Sequence, residues 1–318
     1  MRPGAGLAGV VDRFWSIEGV ADGGAAANRV LPDGCMDVII DVAGERSGHG
    51  VATHGLTRYV VGAMREAVVV GHDGPVDLIG VRFRPGGVAV FVCAPAAELT
   101  DGLADLGEFW RDASVLAERL AEAGTDGDRS TTSPPHSSHS MCGTAPAAGL
   151  AARCRLRARA GVFERALLGR ASAGLPRVDP LVDEATRLIR ESRGAARVRD
   201  IERALSTTER TLQRRFAATV GLTPKEASRV ARFAHAAGRL RRRPAVSLAR
   251  VALECGYADQ PHFTREFQRL AGTTPAAYVR ETGVVFVQDG DDPSAQLPER
   301  QPGCDSNAYR RHEEPSWK

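Results

Sequence analysis

No stretch of the 318-residue chain runs to about eighteen uncharged apolar residues, the minimum for a membrane-crossing helix. The N-terminal MRPGAGLAGVVDRFW holds no apolar core followed by a small-residue cleavage site, so a soluble, cytoplasmic protein is expected. The six cysteines, Cys35, Cys93, Cys142, Cys154, Cys255 and Cys304, form no CxxC pair and no dense cluster. That spacing signals neither a disulfide framework nor a structural zinc site, and reduced thiols are expected. His49, His54 and His72 lie near apolar runs, but no glutamate at matching spacing completes a metal set, so they read as loop histidines. His136, His139 and Cys142 sit in polar sequence without the supporting shell that metal ligands need. No metal and no other cofactor is expected.

What is abundant is unevenly placed. The net charge is only +3, yet residues 151–280 hold 27 Lys and Arg against 12 Asp and Glu, leaving 15 against 27 for the rest. A local excess of +15 beside a deficit of −12 marks one segment as built to meet a polyanion. The length suits two domains, each able to bury its own core.

Residues 1–123 read as a β-rich domain closed by helices. In NRVLPDGCMDVIIDVAG an apolar run lies on each side of Pro32-Asp33-Gly34, the grammar of a hairpin turn. AVVVGHDGPVDLIGVRFRPGG repeats it: Val68 to Val70, a turn at His72-Asp73-Gly74-Pro75, then Val76 to Phe83 with Val81 and Phe83 alternating against Arg82 and Arg84. Several such strands predict a β-sandwich or a cupin-like barrel. Arg82 and Arg84 read as exposed strand-face charges, and Phe14, Trp15 and Trp110 as core. From Pro85 the spacing turns helical, and DLGEFWRDASVLAERLAEA puts Leu106, Phe109, Leu116 and Leu120 on one face. Residues 124–149, rich in Ser, Thr, Pro and Gly, read as a flexible linker or insertion. Residues 150–193 read as a helical connector, 194–284 as an all-α domain, and 285–318 as a disordered tail. The fold class expected is therefore α+β in two domains.

The all-α part says nearly the same thing twice. TLQRRFAATVGLTPKEASR returns 51 residues later as HFTREFQRLAGTTPAAYVR. Thr211 pairs with His262, Leu212 with Phe263, Arg214 with Arg265, Phe216 with Phe267, Gly221 with Gly272, Thr223 with Thr274 and Pro224 with Pro275. Each boundary has a cause. Leu212 and Phe216, like Phe263 and Phe267, stand four residues apart and bury one helix face. Thr208 and Asp259 can cap those helices, and Gly221 and Gly272 supply the left-handed residue that ends them. Thr223-Pro224-Lys225-Glu226 reads as cap, first-turn proline and capping-box glutamate of a long helix to about Arg242, stopped by Pro244. At about 1.5 Å per residue that helix spans on the order of 28 Å, close to the roughly 34 Å between successive major-groove faces.

With the apolar face assigned to packing, Arg210, Gln213 and Arg214 remain outward in the first copy, and Pro261, His262, Thr264 and Arg265 in the second. Arg, Gln and Thr are the side chains that hydrogen-bond base edges and phosphates. GRLRRRP, residues 238–244, reads instead as a solvated helix end favoured by the dipole. Cys255 takes an apolar core position of the repeat and reads as packing.

SLARVALECGYADQPHFTREFQRLAGTTPAAYVR, residues 247–280, closely resembles the signature of the AraC/XylS family of transcription regulators, whose DNA-binding unit is two helix-turn-helix motifs joined by a long helix. The resemblance covers roughly 197–281. It implies recognition helices at about 208–219 and 260–270, with base-contacting sites on Arg210, Gln213 and Arg214 and on Gln260, Pro261, Thr264 and Arg265. Where the second motif has the turn glycine Gly256 the first has Ser206, a residue strained in a left-handed turn. RFWSIEG, RVLPDGCMDVII and PVDLIGVRFRPGGVAVF also resemble the β-rich N-terminal domain of one AraC-like branch. The partners implied are double-stranded DNA and RNA polymerase, with no membrane. A small-molecule effector, a homodimer, and activation against repression are left open. The rival reading is a DNA-repair alkyltransferase fused to such a module, which would need a clustered, metal-bound cysteine.

Overall fold

In the computed structural model, residues 1–21, 28–47, 55–71, 74–129, 145–171, 177–242 and 247–281 are described. His49, His54 and His72, the polar 130–144 segment with His136, His139 and Cys142, and everything after 281 fall outside them.

The N-terminal part contains β1 (Val11–Ala21), β2 (Asn28–Val30), β3 (Met36–Asp41), a short helix α1 (Val42–Ser47), β4 (Arg58–Val61), β5 (Val68–Val70), β6 (Gly74–Phe83) and β7 (Leu103–Asp105). Five strands form one antiparallel sheet in the order β1-β6-β3-β4-β7, and β2 pairs with β5 in a second. Both expected hairpins are therefore corrected. The Pro32-Asp33-Gly34 turn carries the chain from β2 in the small sheet to β3 in the large one, and β5 and β6 are likewise in different sheets. Turn chemistry marks where a chain reverses, but strand partners are chosen by long-range burial.

Alternation along β6 explains the sheet's two faces. Ile79, Val81 and Phe83 point with Phe14, Val38, Ile40 and Val60 into the main core, whereas Val76 and Leu78 join Ile39 and Tyr59 on the other side. Arg82 lies on that second side and is buried, not exposed as its alternation suggests. Its guanidinium donates to Asp33 at 2.6 Å and to Asp37 at 2.9 Å, and the Trp15 indole N–H donates to Asp37 at 2.8 Å. The ion pairs explain how a buried charge is tolerated. Phe14 and Trp110 are core, while Trp15 is half-buried, its ring so close to Gly80 that a Cβ there would come within 2.3 Å.

Leu106 opens a short 3-10 turn, and the helix proper, α2 (Ala113–Arg129), starts after Trp110. The expected single amphipathic helix is thus two pieces, with Leu106, Leu116 and Leu120 still buried together. Helix α3 (Ala145–Arg170) lies on α2 and the sheet. Arg159, fully buried, staples the three: it donates to the Asp77 carboxylate of β6 at 2.5 and 2.8 Å and to the Leu120 carbonyl of α2 at 3.1 Å.

The C-terminal part is all helix: α4 (Pro180–Glu191), α5 (Val198–Ala204), α6 (Glu209–Thr219), α7 (Pro224–Arg242), α8 (Leu248–Glu254), α9 (Gln260–Ala271) and α10 (Pro275–Glu281). Helix α4, capped by Asp179 and buried through Val182, Ala185 and Ile189, packs on α6 and α7. No described helix is long and apolar enough to cross a membrane.

Candidate nucleic-acid interface

Two helix-turn-helix units, α5-α6 and α8-α9, flank α7. The expected recognition helices are α6 and α9, and the local causes are visible in each. Thr208 Oγ1 accepts from the Thr211 N–H at 3.3 Å, and the Asp259 carboxylate accepts from the His262 N–H at 2.6 Å. At the start of α7, Thr223 and Glu226 make a full capping box: the Glu226 N–H donates to Thr223 Oγ1 at 3.2 Å, and the Thr223 N–H donates to Glu226 Oε2 at 2.8 Å. Burial opposes it, but the Thr223 backbone N–H and the Thr223 hydroxyl, which donates to Glu226 Oε2 at 2.8 Å, hold the Glu226 carboxyl below its usual range.

Inside, the repeated skeleton does the packing. Leu212, Phe216, Phe263 and Phe267 are fully buried. Phe267 sits 5.0 Å from Phe233 of α7 and 5.3 Å from Tyr278 of α10, ring centre to ring centre, in the tilted and edge-on geometries that aromatic pairs favour. Pro224 and Pro275 open α7 and α10, and Gly221 and Gly272 follow α6 and α9 in the left-handed conformation, Gly272 as the cap of α9. Thr274 Oγ1 accepts from the Ala277 N–H at 3.2 Å, the counterpart of Thr223. The tight turns differ: Gly256 has φ +76°, and Ser206 holds the same left-handed region at φ +47°.

Outside, Arg210, Gln213 and Arg214 are exposed on α6, as are Gln260, Pro261 and Arg265 on α9; His262 and Thr264 are half-buried. Several other arginines of this part of the chain are committed to ion pairs. Arg215 pairs with Asp179, Arg203 with Asp200, Arg239 and Arg250 with Glu254, and Arg229 with Glu266. Arg210, Arg214 and Arg265 enter no ion pair among the described residues. Gln213 makes one exposed bond, donating to Glu209 at 2.9 Å. An unpaired guanidinium keeps its five donors for an external acceptor.

His262 is turned partly inward. Its Nε2 lies 3.6 Å from Glu266, and its ring meets Tyr257 edge-on at 5.5 Å. Glu266 also faces Arg229 of α7 at 3.8 Å, so the second unit carries an internal polar contact that sequence reasoning missed. The signal was available: in the repeated triplet, RRF at 214–216 and REF at 265–267, arginine at 215 becomes glutamate at 266.

Two helix-turn-helix units joined by one long helix in a basic segment support a DNA-binding regulator. Residues 201–281 match a family described as "Helix-turn-helix domain" and residues 1–105 one described as "Domain of unknown function (DUF6597)". The C-terminal part of the chain is thus similar to a helix-turn-helix domain. Among solved structures the chain is similar to ToxT from Vibrio cholerae, at 10% identity and TM-score 0.41 over 84% of this chain and 98% of that one. A second ToxT structure, bound to (E)-4-(8-methylnaphthalen-1-yl)but-3-enoic acid, matches at 11% identity and TM-score 0.41 over the same shares. The xylose-binding transcription activator XylR matches at 21% identity and TM-score 0.28, over 41% of this chain and 39% of that one. Scores this low leave the fold to be read from the chain itself. No curated protein matches the chain significantly.

Proposed function

We propose that the chain is a sequence-specific transcription regulator that reads two successive major-groove segments of an asymmetric duplex site, α6 in one and α9 in the next. The observation that carries this reading is the arginine at the same outward position of both copies, Arg214 and Arg265, exposed and uncommitted in each. Phosphate contacts from the +15 segment supply affinity, and base-edge contacts from Arg210, Gln213, Arg214, Gln260, Thr264 and Arg265 supply specificity. Footprinting with the purified chain on DNA selected from a random pool tests it. A defined protected site that survives raised salt supports the proposal, and binding that is sequence-blind and lost with salt overturns it.

The N-terminal domain is read as the controlling part, through a small effector or a second copy of the chain. A thermal-shift screen of the full chain against metabolites, with its mass measured in solution, separates the two. The alkyltransferase reading gains no support from Cys35 or Cys255. Burial, with Asp33 beside it, pushes the Cys35 thiol well above its usual range, and burial raises Cys255 as well. A nucleophilic thiolate needs the opposite shift.

A further inference from the structure

The repeat places Gly221 and Gly272 at the same point of the two units, and the N-terminal domain holds both points. Thr100 Oγ1 donates to the Gly221 carbonyl at 2.7 Å. The contact is close: a Cβ on Gly221 would fall 2.8 Å from the Ala96 carbonyl oxygen and from Thr100 Oγ1. On the second unit, the Ala67 N–H donates to the Leu270 carbonyl at 2.7 Å, and Arg29 Nη1 donates to the Ala271 carbonyl at 2.9 Å. Arg29 also reaches Glu281 of α10 at 3.7 Å, and a Cβ on Gly272 would fall 3.1 Å from its Nη1. The C-terminal end of each recognition helix is therefore taken by donors from outside its own unit.

Those donors belong largely to one rigid piece. Loop 62–67 and loop 96–102 are tied by the Gly62 N–H to the Gly102 carbonyl at 3.0 Å and the Asp101 N–H to the Ala63 carbonyl at 3.1 Å. Arg65 donates from both its backbone N–H and its Nε to the Asp101 carboxylate, each at 2.6 Å. The loops are in contact at Gly62, where a Cβ would lie 1.6 Å from the Leu99 carbonyl oxygen. Arg65 extends further to Glu226, the capping residue of α7, at 3.8 Å. One bridge thus touches the end of α6, the start of α7 and the end of α9. Leu31, next along from β2, and Ala67 pack into the core of the second unit.

We propose that Thr100, Arg65 and Arg29 are positioning residues for DNA reading: they fix the separation and rotation of α6 relative to α9, so that the N-terminal domain sets the spacing between the two DNA segments together with α7. This rests on the two-segment reading above. A single base pair shifts the next face by about 3.4 Å along the duplex, so a held pair of helices tolerates one spacing, and a pair held by α7 alone tolerates several.

The test uses the full chain and its selected site, with zero, one or two base pairs inserted or removed between the segments, and each half-site alone. Thr100→Val keeps the side chain's shape and removes the donor; Arg65→Ala removes the side-chain bonds to Asp101 and Glu226 and leaves the backbone N–H bond to Asp101; Arg29→Ala removes the side-chain grip on α9 and leaves the Ala67 N–H bond to Leu270. The wild type is expected to lose about tenfold in affinity per base pair of displacement, the size of one misread pair. The variants are expected to lose less than about threefold per base pair, with half-site affinities and melting profiles close to wild type. A variant profile as sharp as the wild type, or equal weakening on every spacing and half-site, overturns the proposal. A wild type that shows no spacing preference because only one half-site matters overturns the two-segment reading, and is told apart because it appears before any substitution is made.

Discussion

The two helix-turn-helix units share a skeleton and differ in what supports it. In the first, Leu212, Phe216, Val220 and Leu222 belong to the same continuous core as Phe14, Val38 and Phe83 of the sheet. In the second, Phe263, Phe267 and Leu270 pack with Phe233, Leu240 and Tyr278 in a core of their own, touched from the N-terminal domain by Leu31 and Ala67. A duplicated motif keeps its interior because each copy must close the same turn, while its surroundings are free to diverge. The first unit is built into the N-terminal domain; the second is attached to it.

The largest effect should come from emptying the two cores in turn. Phe267→Ala removes a fully buried ring with three aromatic neighbours and should destabilise the second unit by about 3–5 kcal/mol. Segment-resolved hydrogen exchange should show α8, α9 and α10 opening while the sheet and α6 stay protected. Phe216→Ala should lower protection in α6 and the N-terminal domain together. Identical exchange patterns for the two variants would show that the cores are not separate.

Next comes a turn swap. Ser206 sits at φ +47° where the second unit has Gly256 at φ +76°, and a left-handed serine is strained where glycine is not. Ser206→Gly should stabilise the chain by about 0.5–1 kcal/mol, and Gly256→Ser should destabilise it by at least as much. Denaturant midpoints measure both, and a loss of stability in Ser206→Gly would remove the strain argument.

The smallest effect is on pH. Burial, then the nearby Arg193, Arg239 and Arg242, lower the pKa of His235 on α7. The unfolded chain therefore binds this proton more readily than the folded one. Stability should fall as pH drops below the ordinary histidine value near 6.5, and level off above it. His235→Gln should flatten part of that acid-side loss in melting curves between about pH 5 and 7.5; an unchanged slope would mean the histidine contributes nothing.

Local signals were legible and distant ones were not. Cap, turn and spacing residues such as Thr208, Asp259, Gly272 and Thr223-Pro224 act within a few positions, so the helices of both units could be bounded from the sequence. The Pro32-Asp33-Gly34 turn was equally visible, yet its two strands part into different sheets, because pairing is decided by burial across the whole domain. Arg82 alternates like a surface residue, and only the folded chain brings Asp33 and Asp37 to it. The grip on the two units joins Thr100 to Gly221 and Arg29 to Ala271, residues 121 and 242 apart. No periodicity within either segment carries such a contact.

The central claim is that α6 and α9 each read their own stretch of one site. Arg214→Ala and Arg265→Ala should each weaken specific binding by about 1–3 kcal/mol without shifting the melting temperature. The most direct measurement titrates wild type and both variants against the selected site with every base pair substituted in turn. The account predicts that each variant becomes indifferent to base identity at one position, and that the two positions lie in different segments about one helical turn apart. Loss of preference at the same position in both variants, or uniform weakening at all positions, would contradict it.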